Sequence, residues 1–246
     1  TEIKTQGNWQ GEVVNRKKNG KTFIAETSIV AVKNQQHFIT NYISVSSDIT
    51  HKKDKEKIIN NLAYYDDLTK LPNKILFQDR FKNYKKIAKR NNTKLALLFI
   101  DLDNFKNIND TLGHLVGDQF LQEASLRIKN TLREEDTFGR FGGDEFAILI
   151  QGFQSENGLA TLAQKIVDSF KKPFILNKTE VFSGTSIGIS IYPNDADNYD
   201  EMIRLADTAM YHVKNKGKNG YEFFSKSMND AMAHKMKVQN ALHNAL

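Results

Sequence analysis

The chain contains no cysteine, so disulfide staples and thiolate metal sites are excluded, and a reducing compartment is compatible with it. Only three of its 246 residues are proline and one is tryptophan, and no low-complexity segment interrupts it. No apolar run approaches the ~20 residues of a membrane span, and no signal peptide is visible, so a cytoplasmic location is expected, with a membrane anchor elsewhere in a parent protein as the alternative. Methionine is missing from the first position, which is Thr1, and an excised piece of a longer protein is expected. What remains is an ordinary soluble composition, 39% hydrophobic and 26% charged, with a net charge of +6. That mild excess suits a polyanionic small ligand such as a nucleoside triphosphate. It shows no clustered basic stripe, so no nucleic-acid partner is expected.

Residues 1–47 read as strands: Trp9 to Arg16, a turn at Asn19-Gly20, Lys21 to Val32, a polar turn at Asn34-Gln35-Gln36, and Phe38 to Ser46. A charged helix follows to about Leu62, with Asp48 or Thr50 as its cap. Ile58, Ile59, Leu62 and Tyr65 form a narrow apolar seam that suits pairing with a second copy.

The polar, proline-containing stretch from Asp66 to Asn73 marks a domain boundary. Asn73 caps a helix whose core face is Phe77, Phe81, Tyr84 and Ala88. Lys94 to Ile100 is a central strand buried on both faces, and it ends in Asp101-Leu102-Asp103. Alternation along the strand puts both carboxylates on one side. A helical turn over 104–110, a helix carrying Leu121, Ala124, Ile128 and Leu132, and a hairpin about Gly142-Gly143 come next. Then follow a helix from Leu159 to Phe170, a strand from Val181 to Tyr192, a helix ending near Gly217, and a short strand at Tyr221 to Phe224. The expected fold is α/β (α+β). It has a mixed central sheet of ferredoxin-like βαββαβ order flanked by helices, behind an N-terminal antiparallel sheet and a connecting helix.

In that topology the end of the central strand and the hairpin tip are neighbours, so Asp101 and Asp144 face a common point. Two carboxylates, completed by phosphate and water oxygens, suit Mg²⁺ or Mn²⁺. Lys214 and Lys218, four apart around a helix end, suit the outer charge of a triphosphate, although each alone reads as a solvated surface lysine.

Residues 66–224 resemble a GGDEF domain, the diguanylate cyclase family. The resemblance runs through Asp67-Leu68-Thr69-Lys70-Leu71-Pro72-Asn73, Phe99-Ile100-Asp101-Leu102-Asp103-Asn104-Phe105-Lys106, Ile108-Asn109-Asp110, Gly113-His114, Gly117-Asp118 and Arg140-Phe141-Gly142-Gly143-Asp144-Glu145-Phe146. It implies joining of two GTP molecules into cyclic di-GMP across a homodimer. By position it implies Asp101, Asp144 and the Leu102 carbonyl as metal ligands. Glu145 would activate the 3′-hydroxyl or bind a second metal, and Asn109 and Asp118 would read the guanine edge. Phe105 and Lys106 fall on the phosphate-side loop, where Lys106 can also offset transition-state charge. Lys214 and Lys218 form the distal phosphate clamp. Arg133 and Asp136 match the family's product-inhibition site, with Lys165 at the position where the family usually has an arginine.

More local readings stand beside these. Asp103 can serve only to organise the strand end, His114 to make structural hydrogen bonds, and Asp110 to cap a helix. Phe141 and Phe146 can be plain hairpin core. Arg133 and Asp136 can be a surface ion pair at a helix end.

Gly7 to Glu12, Asn15 to Lys21 and Asp48-Ile49-Thr50 resemble the C-terminal half of a PAS sensor domain, which implies a partial PAS unit over 1–47 and a signalling helix over 48–65. Residues 225–246 resemble the linker helix that precedes an EAL phosphodiesterase domain, so fusion to such a domain is expected. A binding module that controls that domain is the alternative function, and a pure product receptor is a third.

Overall fold

The computed structural model describes Ile3 and residues 6–228. The expected tail helix lies almost wholly outside the described residues. The chain divides into two compact units, residues 1–63 and 64–246.

The first unit is an antiparallel sheet of β1 (Asn8–Arg16), β2 (Thr22–Lys33) and β3 (Ile39–Asp48), in that order, followed by helix α1 (Thr50–Tyr64). Its turns fall where the Asn-Gly and Asn-Gln-Gln signals place them. Asp48 accepts from the Thr50 amide at 3.0 Å, and the Thr50 hydroxyl accepts from the Ile24 amide at 2.9 Å, so the capping pair also ties the helix start to β2. Hydrogen bonds from Thr50 and Lys17 hold the Asp48 carboxyl down at about 2. Along α1 the seam residues Ile58, Ile59 and Leu62 are all exposed.

The second unit is built on a five-stranded sheet. Helix α2 (Lys74–Asn91) enters first, its amides at Ile75 and Leu76 capped by the Asn73 side chain. Strand β4 (Leu95–Leu102) is buried along its whole length, as its unbroken apolar run requires. Helices α3 (Phe105–Leu112) and α4 (His114–Lys129) follow, then the hairpin of β5 (Thr137–Gly142) and β6 (Glu145–Gln151), and α5 (Glu156–Ser169). A small hairpin of β7 (Phe174–Leu176) and β8 (Thr179–Val181) precedes β9 (Thr185–Tyr192), α6 (Tyr199–Asn215) and β10 (Gly220–Phe223). The sheet order is β10-β9-β4-β6-β5, with β10 parallel to β9 and every other neighbour antiparallel.

Alternation along β4 sorts the core into two layers. Ala96, Leu98, Ile100 and Leu102 pack with α4 and α5, whereas Leu95, Leu97 and Phe99 pack with α2 and α6. Asp101 continues the second series, so its carboxylate emerges on the face covered by α2 and α6. Helix α6 lies unusually close to the sheet at Gly188, where a Cβ would stand 1.9 Å from the Ala206 carbonyl oxygen. No side chain fits there.

Three expectations need correction. The single strand from Val181 to Tyr192 is broken at 182–184, because Ser183 and Gly184 leave the ladder to bond the backbone of Asp103. The hairpin turn is Gly143-Asp144 rather than Gly142-Gly143. Gly142 pairs with Glu145, and an irregularity between Arg140 and Gly142 shifts the register. The basic excess is also not dispersed: α2 alone carries Lys74, Arg80, Lys82, Lys85, Lys86, Lys89 and Arg90 against the single acid Asp79.

Candidate active site

The end of β4 is the centre of the arrangement. Asp101 pairs with Glu145 on one side and Ser186 on the other, and its carbonyl accepts from the Thr185 hydroxyl at 3.0 Å. The hairpin tip is fastened to the same point, since the Leu102 amide donates to the Asp144 carbonyl at 3.2 Å. Asp101 and the Asp144-Glu145 pair, 43 and 44 positions apart in sequence, are thus brought together by strand register alone.

The electrostatics of the cluster are those of a site short of cations. Asp101 is only 7% exposed. Burial pushes its carboxyl up to about 6; the Lys214 ammonium, 2.6 Å from Oδ2, opposes this, and the Asp144 charge adds to it. Glu145 is also raised, by partial burial first and then by Asp207 and Asp144, with Lys214 and Lys74 acting against them. Asp207 itself is raised by partial burial. Four carboxylates thus share one neighbourhood with few ammonium groups. Among the described residues no group of three His, Asp or Glu side chains forms a ready-made metal cage. Mg²⁺ is characteristically held by one or two carboxylates and completed by substrate phosphates and water. Asp101 and Asp144, with the Leu102 carbonyl, would hold it.

Asp103 adds its charge to Asp101 from just beyond the strand end, but its own carboxylate is occupied structurally. It accepts from the Ser186 hydroxyl at 2.8 Å and from the Asn219 amide at 2.9 Å, so it fastens the turn after α6 to the strand end. Lys218 follows Gly217 in a left-handed conformation and donates to Asn104 Oδ1 at 2.7 Å. Both distal lysines therefore reach the two ends of the segment 101–104. On the other side of that segment, Phe105 in the first turn of α3 stacks on Phe120 at 6.1 Å between ring centroids, and Lys106 is exposed. Asn109 Oδ1 is buried with no hydrogen-bond partner, lodged against Gly117, where a Cβ would stand 1.9 Å from it. Asp118, in the first turns of α4, is exposed.

Arg133, Asp136 and Lys165 line a separate cleft of about 490 Å³ between the loop after α4 and the start of α5. The Asp136 carboxylate accepts from the Arg133 amide at 2.9 Å, and burial raises its pKa. Arg133 lies 3.9 Å from Glu135 and is largely exposed, leaving its guanidinium accessible.

Two contributors carry no signal that sequence reasoning used. Arg140 donates through Nη1 to both oxygens of Asp66, at 2.9 and 3.1 Å, and through Nε and Nη2 to the Gly143 carbonyl, at 3.1 and 2.8 Å. It therefore fixes the hairpin tip to the boundary segment. Burial works to raise Asp66, but hydrogen bonds from Thr69 and Arg140 outweigh it and hold the carboxyl below its usual range. Asp207, seven residues before Lys214 and hence on the same face of α6, is the other.

Residues 63–220 match the family model described as diguanylate cyclase, GGDEF domain. The chain belongs to the GGDEF family. Residues 1–51 match a PAS domain model. The bifunctional diguanylate cyclase/cyclic di-GMP phosphodiesterase MucR of Pseudomonas aeruginosa is 43% identical over 185 residues, 75% of this chain and 27% of that protein. The cyclic di-GMP phosphodiesterase NbdA of the same organism is 35% identical over 188 residues, 76% of this chain and 24% of that one. A structure comprising only the GGDEF domain of P. aeruginosa TpbB superposes with a TM-score of 0.67 at 36% identity, covering 69% of this chain and 99% of that one. The chain thus spans about a quarter of the length of these two curated relatives. No helix among the described residues is long and apolar enough to cross a membrane.

Proposed function

We propose that the GGDEF unit is a diguanylate cyclase that condenses two GTP molecules into cyclic di-GMP with release of pyrophosphate, using Mg²⁺ or Mn²⁺. The observation that carries this reading is the convergence of Asp101, Asp144 and Glu145, with Lys214, at the buried end of β4. Asp101 and Asp144, with the Leu102 carbonyl, would hold a divalent ion, which would supply electrostatic stabilisation of the charge developing at the α-phosphate. Lys214 and Lys218 hold the outer phosphates, and Lys106 and the first amides of α3 hold those nearer the ribose. Asn109 and Asp118 accept and donate at the guanine edge; a carboxylate accepts from the N1 and N2 donors of guanine, which adenine lacks. Glu145 takes the proton of the attacking 3′-hydroxyl or binds a second ion. The decisive experiment is incubation of the purified chain with GTP and Mg²⁺: cyclic di-GMP should accumulate, and its absence would favour the alternative, a GTP-binding module that controls a phosphodiesterase domain. The phosphodiesterase named in NbdA gives that alternative its support.

One site holds one GTP, so the bond between two GTPs needs two subunits face to face, and the unit acts as a homodimer. Specific activity should therefore rise with protein concentration while dimers are scarce. A constant specific activity across a dilution series that spans monomer to dimer, followed by light scattering, rules this out.

The cleft of Arg133, Asp136 and Lys165 is proposed as the site where cyclic di-GMP inhibits its own synthesis. A lysine supplies charge to the phosphate but lacks the planar fork of arginine. Arg133→Ala should relieve inhibition and leave synthesis intact, and Lys165→Arg should tighten product binding about 5- to 30-fold. Calorimetric titration that finds both affinities unchanged would remove the cleft from the account.

A further inference from the structure

We propose that the Lys214 ammonium is the stand-in cation of Asp101, so that a divalent ion enters well only when a nucleotide arrives to draw that ammonium away. The inference rests on the function proposed above but concerns the order in which the site fills.

The geometry is asymmetric. Asp101 cannot move: its backbone is laddered on both sides, to Glu145 and to Ser186, and its carbonyl is held by Thr185. Lys214 can move, because it sits near the end of α6 with a side chain 30% exposed and reaches Oδ2 through a flexible four-carbon stem. An ammonium 2.6 Å from Oδ2 fills the space that a metal ion, at about 2.0–2.1 Å from the same oxygen, would require. The two cations would also repel each other across a few ångströms in a partly buried setting.

A metal ion arriving alone must therefore expel the ammonium. The charged groups that act on this neighbourhood are Asp103 just beyond β4, Asp144 and Glu145 on the hairpin, Asp207 on α6, and Lys74 on α2. A triphosphate changes the balance, since its outer oxygens give the displaced ammonium a new partner while the inner ones complete the metal shell. Metal and nucleotide then favour each other, and the favour is reciprocal. Lys218 is the natural control: four residues on, it is paired to the neutral Asn104 and competes with no metal.

The test is Mn²⁺ binding to the nucleotide-free protein at pH 8, followed by electron paramagnetic resonance. Lys214→Met keeps the stem and removes the charge. It should bind Mn²⁺ alone about tenfold or more tightly than the unaltered chain. Its added gain in Mn²⁺ affinity from a non-hydrolysable GTP analogue should shrink. Lys218→Met should leave the Mn²⁺-alone affinity unchanged, and Asp101→Asn should abolish binding in either background. The proposal is overturned if Lys214→Met, shown folded by its thermal transition, binds Mn²⁺ alone no better than the unaltered chain, or if neither binds it. Failure of cyclic di-GMP synthesis would strike the proposed function and leave this binding result standing on its own.

Discussion

Replacing Glu145 by glutamine is expected to reduce cyclic di-GMP synthesis about 10²- to 10⁴-fold while the protein stays folded. The side chain opens β6 beside Asp101 and is only partly covered, so an isosteric amide disturbs no packing. The charge is what is lost. Partial burial and the charges of Asp207 and Asp144 raise the Glu145 carboxyl above its ordinary value, which moves it toward the range where a base can accept a proton from a hydroxyl. An amide can neither accept that proton nor anchor a cation comparably. GTP binding should persist, because none of the proposed phosphate or guanine contacts is touched. Product formation by Glu145→Gln within a few-fold of the unaltered enzyme, measured at saturating GTP, would refute the role.

The second large effect is on stability and has the opposite sign. Asp101→Asn should make the metal-free protein more stable by about 2–3 kcal/mol near neutral pH, and inactive. In the unfolded chain this carboxyl ionises near 3.8, whereas in the fold it ionises at about 6. Well below pH 3.8 it is neutral in both states and contributes nothing, and at pH 4 the contribution is still small. Between pH 4 and 6 the unfolded chain gives up its proton first, so ionisation pulls toward unfolding, and above 6 the full penalty stands. The amide never ionises and escapes it. Lys214, left without a partner, is exposed enough to hydrate. Urea unfolding in the presence of a chelator should show the two proteins nearly alike at pH 4 and separated at pH 7.5. A variant less stable than its parent at pH 7.5 would show that the Lys214 pair outweighs the burial of the charge. Loss of function with gain of stability is the behaviour expected where charges are assembled for chemistry.

How far the sequence disclosed this differs from element to element. The β4 run was plain because a strand buried on both faces has no polar positions to confuse with a helix. Adjacency of Asp101 to the hairpin tip was legible from topology, since β4 and β6 must pair for the layers to close. The turn was misplaced by one residue because bulges leave no mark on composition. The β7–β8 hairpin was missed for a similar reason. Its turn puts Asn177 and Lys178 in left-handed conformations, and a lysine at a position that usually takes glycine gives no turn signal. The clasp between Arg140 and Asp66 joins residues 74 positions apart, and neither residue type announces a partner at that distance. The cleft shared by Arg133, Asp136 and Lys165 was named residue by residue from a resemblance, and spacing alone favoured a plain ion pair.

Gly188 draws these observations to a practical point. A missing methyl group lets α6 settle close on the sheet, and it is from this helix that Lys214 reaches Asp101. The spacing of the reacting groups is thus recorded at a position that takes part in no chemistry and would be passed over in any search for reactive residues. Position 188 works as a gauge block between two machine parts: thicken it and the instrument loses its calibration, though every tool on it is still sharp.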